Sequence, residues 1–442
     1  MTVDRLKNRC GPCIYWAAAI FIVLRCKMSV RFVKCLEERL HKYSRVYIIR
    51  KIKRTQRRIL MKNRKIYGKR IYFVIYAIFL LVFIGGMFYF NRIIERTDLR
   101  PTGGTKFAKA VVEEVLESNV EISESTGYSG NQKVKIRITS GKFAGEVCEA
   151  SCPNANRSGA YASPGLKVII LVNQNDSGDI IASVYNYDRS NMLLFTIVLF
   201  LAILCVIGGI RGIASTAGLI FTFVCIFGLY IPLMYIGWSP FVAATLTAIL
   251  VTIVVMFFIG GWTYKTLCAI LGTVAGVIVS GGAAAVFGKL SHISGFNVAE
   301  IETLAFIAEN SQLKVSEVLF SGILIASLGA VMDVSMSVAS TIAEIHETNP
   351  QFNMKQLFQS GINVGRDMMG TMSNTLILAF AGSSVNTLII VYAYNKSYLE
   401  YMNDYAIGIE LLQGISGSLG VILTVPLVSV VSAFLMTRKH RK

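Results

Sequence analysis

Two apolar runs toward the C-terminal end hold the residues whose types and spacing can do chemistry. In the first, LFSGILIASLGAVMDVSMSVASTIAEI, Asp333 is followed by Ser337, Ser340 and Glu344 at steps of four, three and four residues, which places all four on one helix face. In the second, MMGTMSNTLILAFAG, the residues Asp367, Thr371 and Asn374 repeat the spacing, with Arg366 beside the aspartate. A carboxylate in the middle of a membrane helix costs roughly 2.5 to 3.5 kcal/mol on insertion scales, so such groups normally face protein or water and mark ion or substrate pathways. Two facing polar stripes would bind or relay a cation, with Arg366 modulating the charge of Asp333 and Asp367. The competing reading is structural: Asp333 pairs with Arg366 and ties two helices together, while the hydroxyls bond back to their own backbone.

Other candidate chemistry is weaker. Cys10 and Cys13 spell CGPC, but no strand or βαβ context precedes them, so the thioredoxin spacing is read as coincidence. Cys26 and Cys35 do not complete a zinc site, since an apolar run separates them from that pair. Cys148 and Cys152 lie in the polar middle of the chain, where a disulfide can form outside the cytoplasm. Met332, Met336, Met368 and Met372 are read as adaptable packing rather than soft metal ligands. No GxGD, HExxH or GxSxG motif occurs, so no catalytic residue and no metal site is assigned, the chain is not read as an enzyme, and no cofactor is named.

The elements that must position these residues follow from composition. The 442 residues are 54% hydrophobic and 16% charged, the balance of a multispanning membrane protein with one wet domain. The net charge of +18 lies wholly in residues 1–70, which hold 21 Lys and Arg against three acids. That arm, with an amphipathic helix running from Val33 through Leu36, Leu40, Tyr43 and Tyr47, is expected to lie on anionic lipid headgroups at the cytoplasmic side. Nucleic acid is not an expected partner, because no recognition module accompanies the charge.

Ile71–Phe90 reads as the first spanning helix. Residues 91–190 then switch to a period of two, with Val134, Ile136 and Ile138 alternating with Lys133, Lys135 and Arg137. A hairpin follows, from Leu166–Val172 through Asn175–Gly178 into Ile180–Tyr187. With Ala108–Glu117 and the strands around GKFAGEVCE this makes five strands, enough for a small barrel of the OB or SH3-like kind. Residues 191–437 form a seven-helix bundle, expected as Met192–Gly209, Gly212–Tyr235, Phe241–Gly260, Leu267–Phe287, Val318–Ile342, Met368–Tyr394 and Leu411–Leu435. Asn297 and Glu300 are expected to form a capping box on a short helix between the fifth and sixth spans.

The expected fold is therefore an α-helical polytopic membrane protein of about eight transmembrane helices, with one small extracytoplasmic β-barrel-like domain. Both termini are cytoplasmic, and residues 438–442 form a basic tail, as the positive-inside rule demands. Gly272, Gly276, Ser280, Ala284 and Gly288 recur every four residues and strip bulk from one face for helix packing.

The chain resembles the YibE/F family of bacterial integral membrane proteins. The likeness is carried by YDRS at Tyr187–Ser190, GGIRG at Gly208–Gly212, LGAVMDVSMSVAS at Leu328–Ser340 and SGINVGRDMMGTMSNTLILAFAG at Ser360–Gly382, and covers roughly Ile71 to Leu435. It implies a multi-pass protein of the bacterial cell membrane and transfers no activity. The first seventy residues depart from the usual shorter N-terminus, which points to an upstream extension. Two functions are expected to compete. One is a transporter or permease-like protein with an intramembrane polar site between helices six and seven. The other is a non-transporting assembly or regulatory subunit whose outer domain binds a partner. Self-association, or a membrane partner subunit, fits either.

Overall fold

The computed structural model describes residues 80–94, 106–123, 127–154, 160–175, 179–298 and 300–439. The CGPC pair, the basic arm with its amphipathic helix, most of Ile71–Phe90 and the last residues of the basic tail lie outside them. Met1–Gly86 and Met87–Lys442 form two units. Of the first, only the opening turns of helix α1, Leu80–Ile93, are described.

Five strands build a closed barrel: β1 (Lys106–Ser123), β2 (Gly127–Ile138), β3 (Val147–Asn154), β4 (Lys167–Gln174) and β5 (Ile180–Tyr187), in the order 1-2-3-5-4 with β4 closing on β1. The single parallel pair is β3–β5, which gives the OB-type order of the two barrels expected. The period-two alternation explains the inside: Val134, Ile136 and Ile138 are fully buried with Val112, Val168, Ile170 and Val184, while Lys133, Lys135 and Arg137 are exposed.

β1 is longer than expected. It carries two bulges, between Val112 and Glu114 and between Val115 and Glu117, and this bending lets one strand pair with both β2 and β4. GKFAGE is a turn with left-handed glycines at Gly141 and Gly145 rather than strand. Cys148 and Cys152 form no disulfide with each other. Four residues apart on β3, they stand about 13 Å from each other, beyond the reach of a disulfide. Cys152 Sγ instead contacts Ala160 O at 2.9 Å.

YDRS joins the barrel to the helices. Asp188 accepts from Lys109 Nζ (2.9 Å), from Ser190 N (3.1 Å) and from the Ser190 hydroxyl, and Tyr187 Oη accepts from Tyr161 N at 2.8 Å. The Ser190 hydroxyl and then the Lys109 ammonium hold the Asp188 carboxyl well down, at about 2.

The helices are α2 (Ser190–Cys225), a π-helical stretch Ile226–Tyr230, α3 (Ile231–Tyr235), α4 (Pro240–Gly260), α5 (Tyr264–Leu290), α6 (Ile301–Glu309), α7 (Val318–Thr348), α8 (Met354–Ser383), α9 (Val385–Ala393), α10 (Tyr398–Met402) and α11 (Tyr405–Lys439). α2 is two arms. Gly209 adopts φ 55°, ψ −134°, and Cys205 Sγ lies 3.4 Å from Thr216 Oγ1. Eleven residues along a straight helix would separate them by about 16 Å, so the chain doubles back at GGIRG. The π-helical turn that follows receives Asn91 of α1, whose Nδ2 donates to Gly228 O at 2.7 Å.

Among the described residues, five helical stretches are long and apolar enough to cross a bilayer, or six if α8 and α9, bent by 64°, count as one. Several expected boundaries shift. α8 begins fourteen residues before the expected Met368, because Asn353 and Gln356 cap each other's backbone at 2.9 Å each and start a helix in a polar stretch where hydropathy shows none. The connector between α7 and α8 thus shrinks to residues 349–353. The capping box expected from Asn297 and Glu300 does not form. Asn297 Oδ1 accepts instead from Ser294 N at 2.9 Å, and Glu300 enters α6 in a left-handed conformation with φ 62° and no side-chain cap.

Small residues hold the bundle together. On α5 an added Cβ at Gly272 would overlap Val428 of α11, and one at Gly276 would overlap Thr424 and lie 2.8 Å from Val331 of α7. A Cβ added to Gly281 would lie 2.9 Å from Leu324 of α7, and Gly288 faces Phe320. Ser280 and Ala284 are buried on the same helix, and a Cβ added to Gly420 of α11 would stand 2.6 Å from Ser280.

Two outcomes test this packing. Gly272→Ala, which must displace the stiff Val428, should destabilise the protein by about 1–3 kcal/mol, whereas Gly282→Ala, with nothing within 4 Å, should leave thermal unfolding in detergent unchanged or raise its midpoint. The Asp188 carboxyl sits below its ordinary 3.8, so the stability it contributes is complete above about pH 4 and is lost as pH falls through about 2. Asp188→Asn should therefore unfold at lower temperature than the native chain near neutral pH, and the gap should close in an acid titration toward pH 2.

Candidate ion or substrate pathway

α7 presents two faces with different company. Val331, Val334, Ser335, Val338, Ala339 and Ile342 are buried, held inward by the contacts of Val331 and Leu324 with α5. The opposite face carries Gly322, Ala326, Gly329 and Asp333, all exposed, then half-buried Ser337 and Ser340, and exposed Glu344. These residues follow one another at steps of three and four, a single stripe along the helix. Asp333 therefore points away from the bundle interior.

α8 behaves alike. Leu357, Gly361 and Gly365 are its buried residues. Gly361 packs on Ser429 and Ile342, and Gly365 on Val425. That contact fixes the rotation of the helix, and Arg366, Asp367, Thr371 and Asn374 all end up exposed. The Thr371 hydroxyl donates to its own backbone, at 3.2 Å to Asp367 O and 3.0 Å to Met368 O.

The two stripes do not cover each other. The ion pairs among the described residues are Lys109–Asp188, Lys133–Glu149, Glu113–Arg137 and Lys396–Asp404. The expected tie between Asp333 and Arg366 is absent, because glycine contacts on the far sides of both helices turn the charged groups outward. Met336 is a packing residue, its terminal methyl lying 2.7 Å from where a Cβ on Gly260 would stand. Among the described residues no three His, Cys, Asp or Glu side chains are grouped to hold a metal ion.

The lower half of the α7 stripe opens into a cleft. Ser340, Glu344 and Glu347 line a space of about 820 Å³ together with Trp262, Tyr264 and Lys265 from the α4–α5 connection. Thr263 caps α5 there by accepting from Thr266 N at 3.3 Å, which sets Lys265 in the first turn of the helix. The cleft thus combines two carboxylates, an ammonium and aromatic walls, a composition able to hold a hydrated cation or a zwitterionic solute near the stripe. No sequence spacing links Lys265 to Glu344; that link depends on the turn at Gly261, whose φ is 65°.

A second feature went unread in the sequence. Thr273 and Ser280 of α5, Ser335 of α7, and Ser416 and Ser429 of α11 are buried, and their hydroxyl oxygens make no hydrogen bond. Ser280 belongs to the period-four stripe of α5, but the other four carry no such signal, and only the packed structure shows that they are buried.

On the barrel, exposed aromatic rings form two pairs. Phe107 and Tyr185 meet edge to face at 5.2 Å, and Tyr128 and Tyr161 stack at 4.9 Å.

Comparison with curated proteins and with solved structures returns no match. A family model, that of the YibE/F-like protein, matches residues 196–438, which is more than half of the chain and includes α7, α8 and the cleft. The apolar helices and this match together make the chain a membrane protein that belongs to the YibE/F-like family.

Proposed function

We propose that this protein is a transporter or permease-like protein of the bacterial cell membrane, whose path follows the polar face of α7 from the cleft to Asp333. The observation that carries this reading is the continuity of that face. Glu344 and Ser340 line the cleft, and Ser337 and Asp333 continue upward at helical steps. Eleven residues of α-helix rise about 16 Å, roughly half of a 30 Å hydrocarbon core. A group that enters at the cleft thus meets Asp333 near mid-membrane. There a carboxylate takes up a proton or a cation at a cost that lipid alone would not offset, while Arg366 and Asp367 on α8 set the local charge.

In this reading the chain crosses eight times, counting α1 and the two arms of α2, with both termini cytoplasmic and the barrel outside. The Gly209 reversal supports the separate arms, and Lys265 at the cleft rim suits a cytoplasmic end. No catalytic step belongs to it.

The second reading, an assembly or regulatory subunit, draws on the exposed ring pairs of the barrel, since aromatic side chains on a soluble surface favour protein partners. It requires no water-accessible route to Asp333.

Reconstituted liposomes separate the two. Proton and cation flux through the native chain should fall by about tenfold or more, the equivalent of a ~1.4 kcal/mol interaction, in Asp333→Asn, and also fall in Asp367→Asn. Absence of flux for every tested ion with native and variant chains folded would sink the transport reading and leave the assembly subunit.

A further inference from the structure

We propose that a second copy of this chain docks on the outward faces of α7 and α8, so that Asp333 of each copy pairs with Arg366 of the other. Within one chain both groups are exposed, and neither has an ion-pair partner among the described residues. Both lie on helices of the bundle, where an unpaired charge facing hydrocarbon is unfavourable. Opposite charges on one self-complementary surface are what a two-fold interface needs, because such an interface brings residue i against j and j against i at once.

The levels agree. Gly361 packs against Ile342 with 2.6 Å between its added Cβ and that side chain, so these residues mark a common height on the antiparallel α7 and α8. From there Asp333 lies nine residues up α7, about 13.5 Å, and Arg366 five residues up α8, about 7.5 Å. A two-fold axis along the membrane normal preserves height. The remaining offset of about 6 Å is one that an arginine side chain spans.

The surface around Asp333 also admits a close partner. Gly322 and Gly329 sit on the same stripe with nothing within 4 Å of an added Cβ, and Gly370 on the outward face of α8 is equally open. Small residues beside a charged group let backbones approach until the pair is shielded from lipid. The polar site is then completed by α8 of the second copy rather than by the chain's own. This association does not depend on transport: a dimer that conducts nothing leaves it standing.

The test uses the full chain, fluorescently labelled and reconstituted in liposomes over a range of protein-to-lipid ratios, with bleaching steps counted per particle. Two steps are expected for the native chain. Asp333→Arg and Arg366→Asp should each move the dimer midpoint to an at least about tenfold higher protein-to-lipid ratio, and the double variant should recover it. Gly329→Leu should weaken association while thermal unfolding stays native, since its side chain meets open space in one chain, and Gly282→Leu on α5 should change neither. Single steps for the native chain at every ratio, or more than two, would overturn the proposal. So would native association of Gly329→Leu and both charge variants, or a double variant that stays dissociated. Absence of flux through the native chain with two bleaching steps retained would count against transport alone.

Discussion

The close approach of α5 to α7 and α11 decides where the polar groups of the bundle point. Hydrophobic burial between helices is weak where the surroundings are as apolar as the side chains, so contact depends on how near backbones can come. Gly272, Gly276 and Gly288 let Val428, Thr424 and Phe320 in. Once Val331 and Leu324 are seated on this surface, α7 has no rotational freedom left. Its opposite face, with Gly322, Gly329 and Asp333, must then look outward. Gly361 and Gly365 act likewise on α8, and the same logic sends Arg366 and Asp367 to the surface. A charge position that looks like a matter of electrostatics is thus set by glycine packing several ångströms away.

Outward charges in a membrane protein need water or protein against them. The lower part of the α7 stripe opens into the cleft at Glu344 and Lys265. The upper part, from Asp333 to Gly322, has small residues and no cover from the described residues of its own chain. The two proposals divide the stripe accordingly: a wet approach from the cleft, and a protein-covered section in which a second copy supplies Arg366. The buried hydroxyls of Ser280, Ser335 and Ser429 belong to the packed interior rather than to this route.

The barrel was largely legible in the sequence, because Val134, Ile136 and Ile138 declare a half-buried strand by alternation alone, and the β4–β5 hairpin by its polar turn. The break at GGIRG was legible too, since consecutive glycines in an apolar run permit the left-handed backbone that Gly209 adopts. The start of α8 was not, because the Asn353–Gln356 capping box lies in a polar segment that hydropathy reads as a connector. Nor was the pairing of β1 with two strands, which rests on bulges at Glu113 and Leu116 that no period reveals. The stripes on α7 and α8 were visible as stripes; that they face outward was not, because helix rotation depends on which glycines meet which neighbours. Spacing reports the face a residue shares and says nothing of what that face meets.

The central claim is that the polar face of α7 is wet from the cleft to Asp333. It is tested most directly by replacing the nine cysteines, placing single cysteines in turn at the positions of Glu344, Ser340, Ser337 and Asp333, and measuring their modification by a membrane-impermeant thiol reagent in oriented vesicles. The account predicts that all four react from the cleft side, while a cysteine in place of buried Val338 is protected. Reaction at Glu344 alone, with the three deeper positions silent in folded protein, would contradict it.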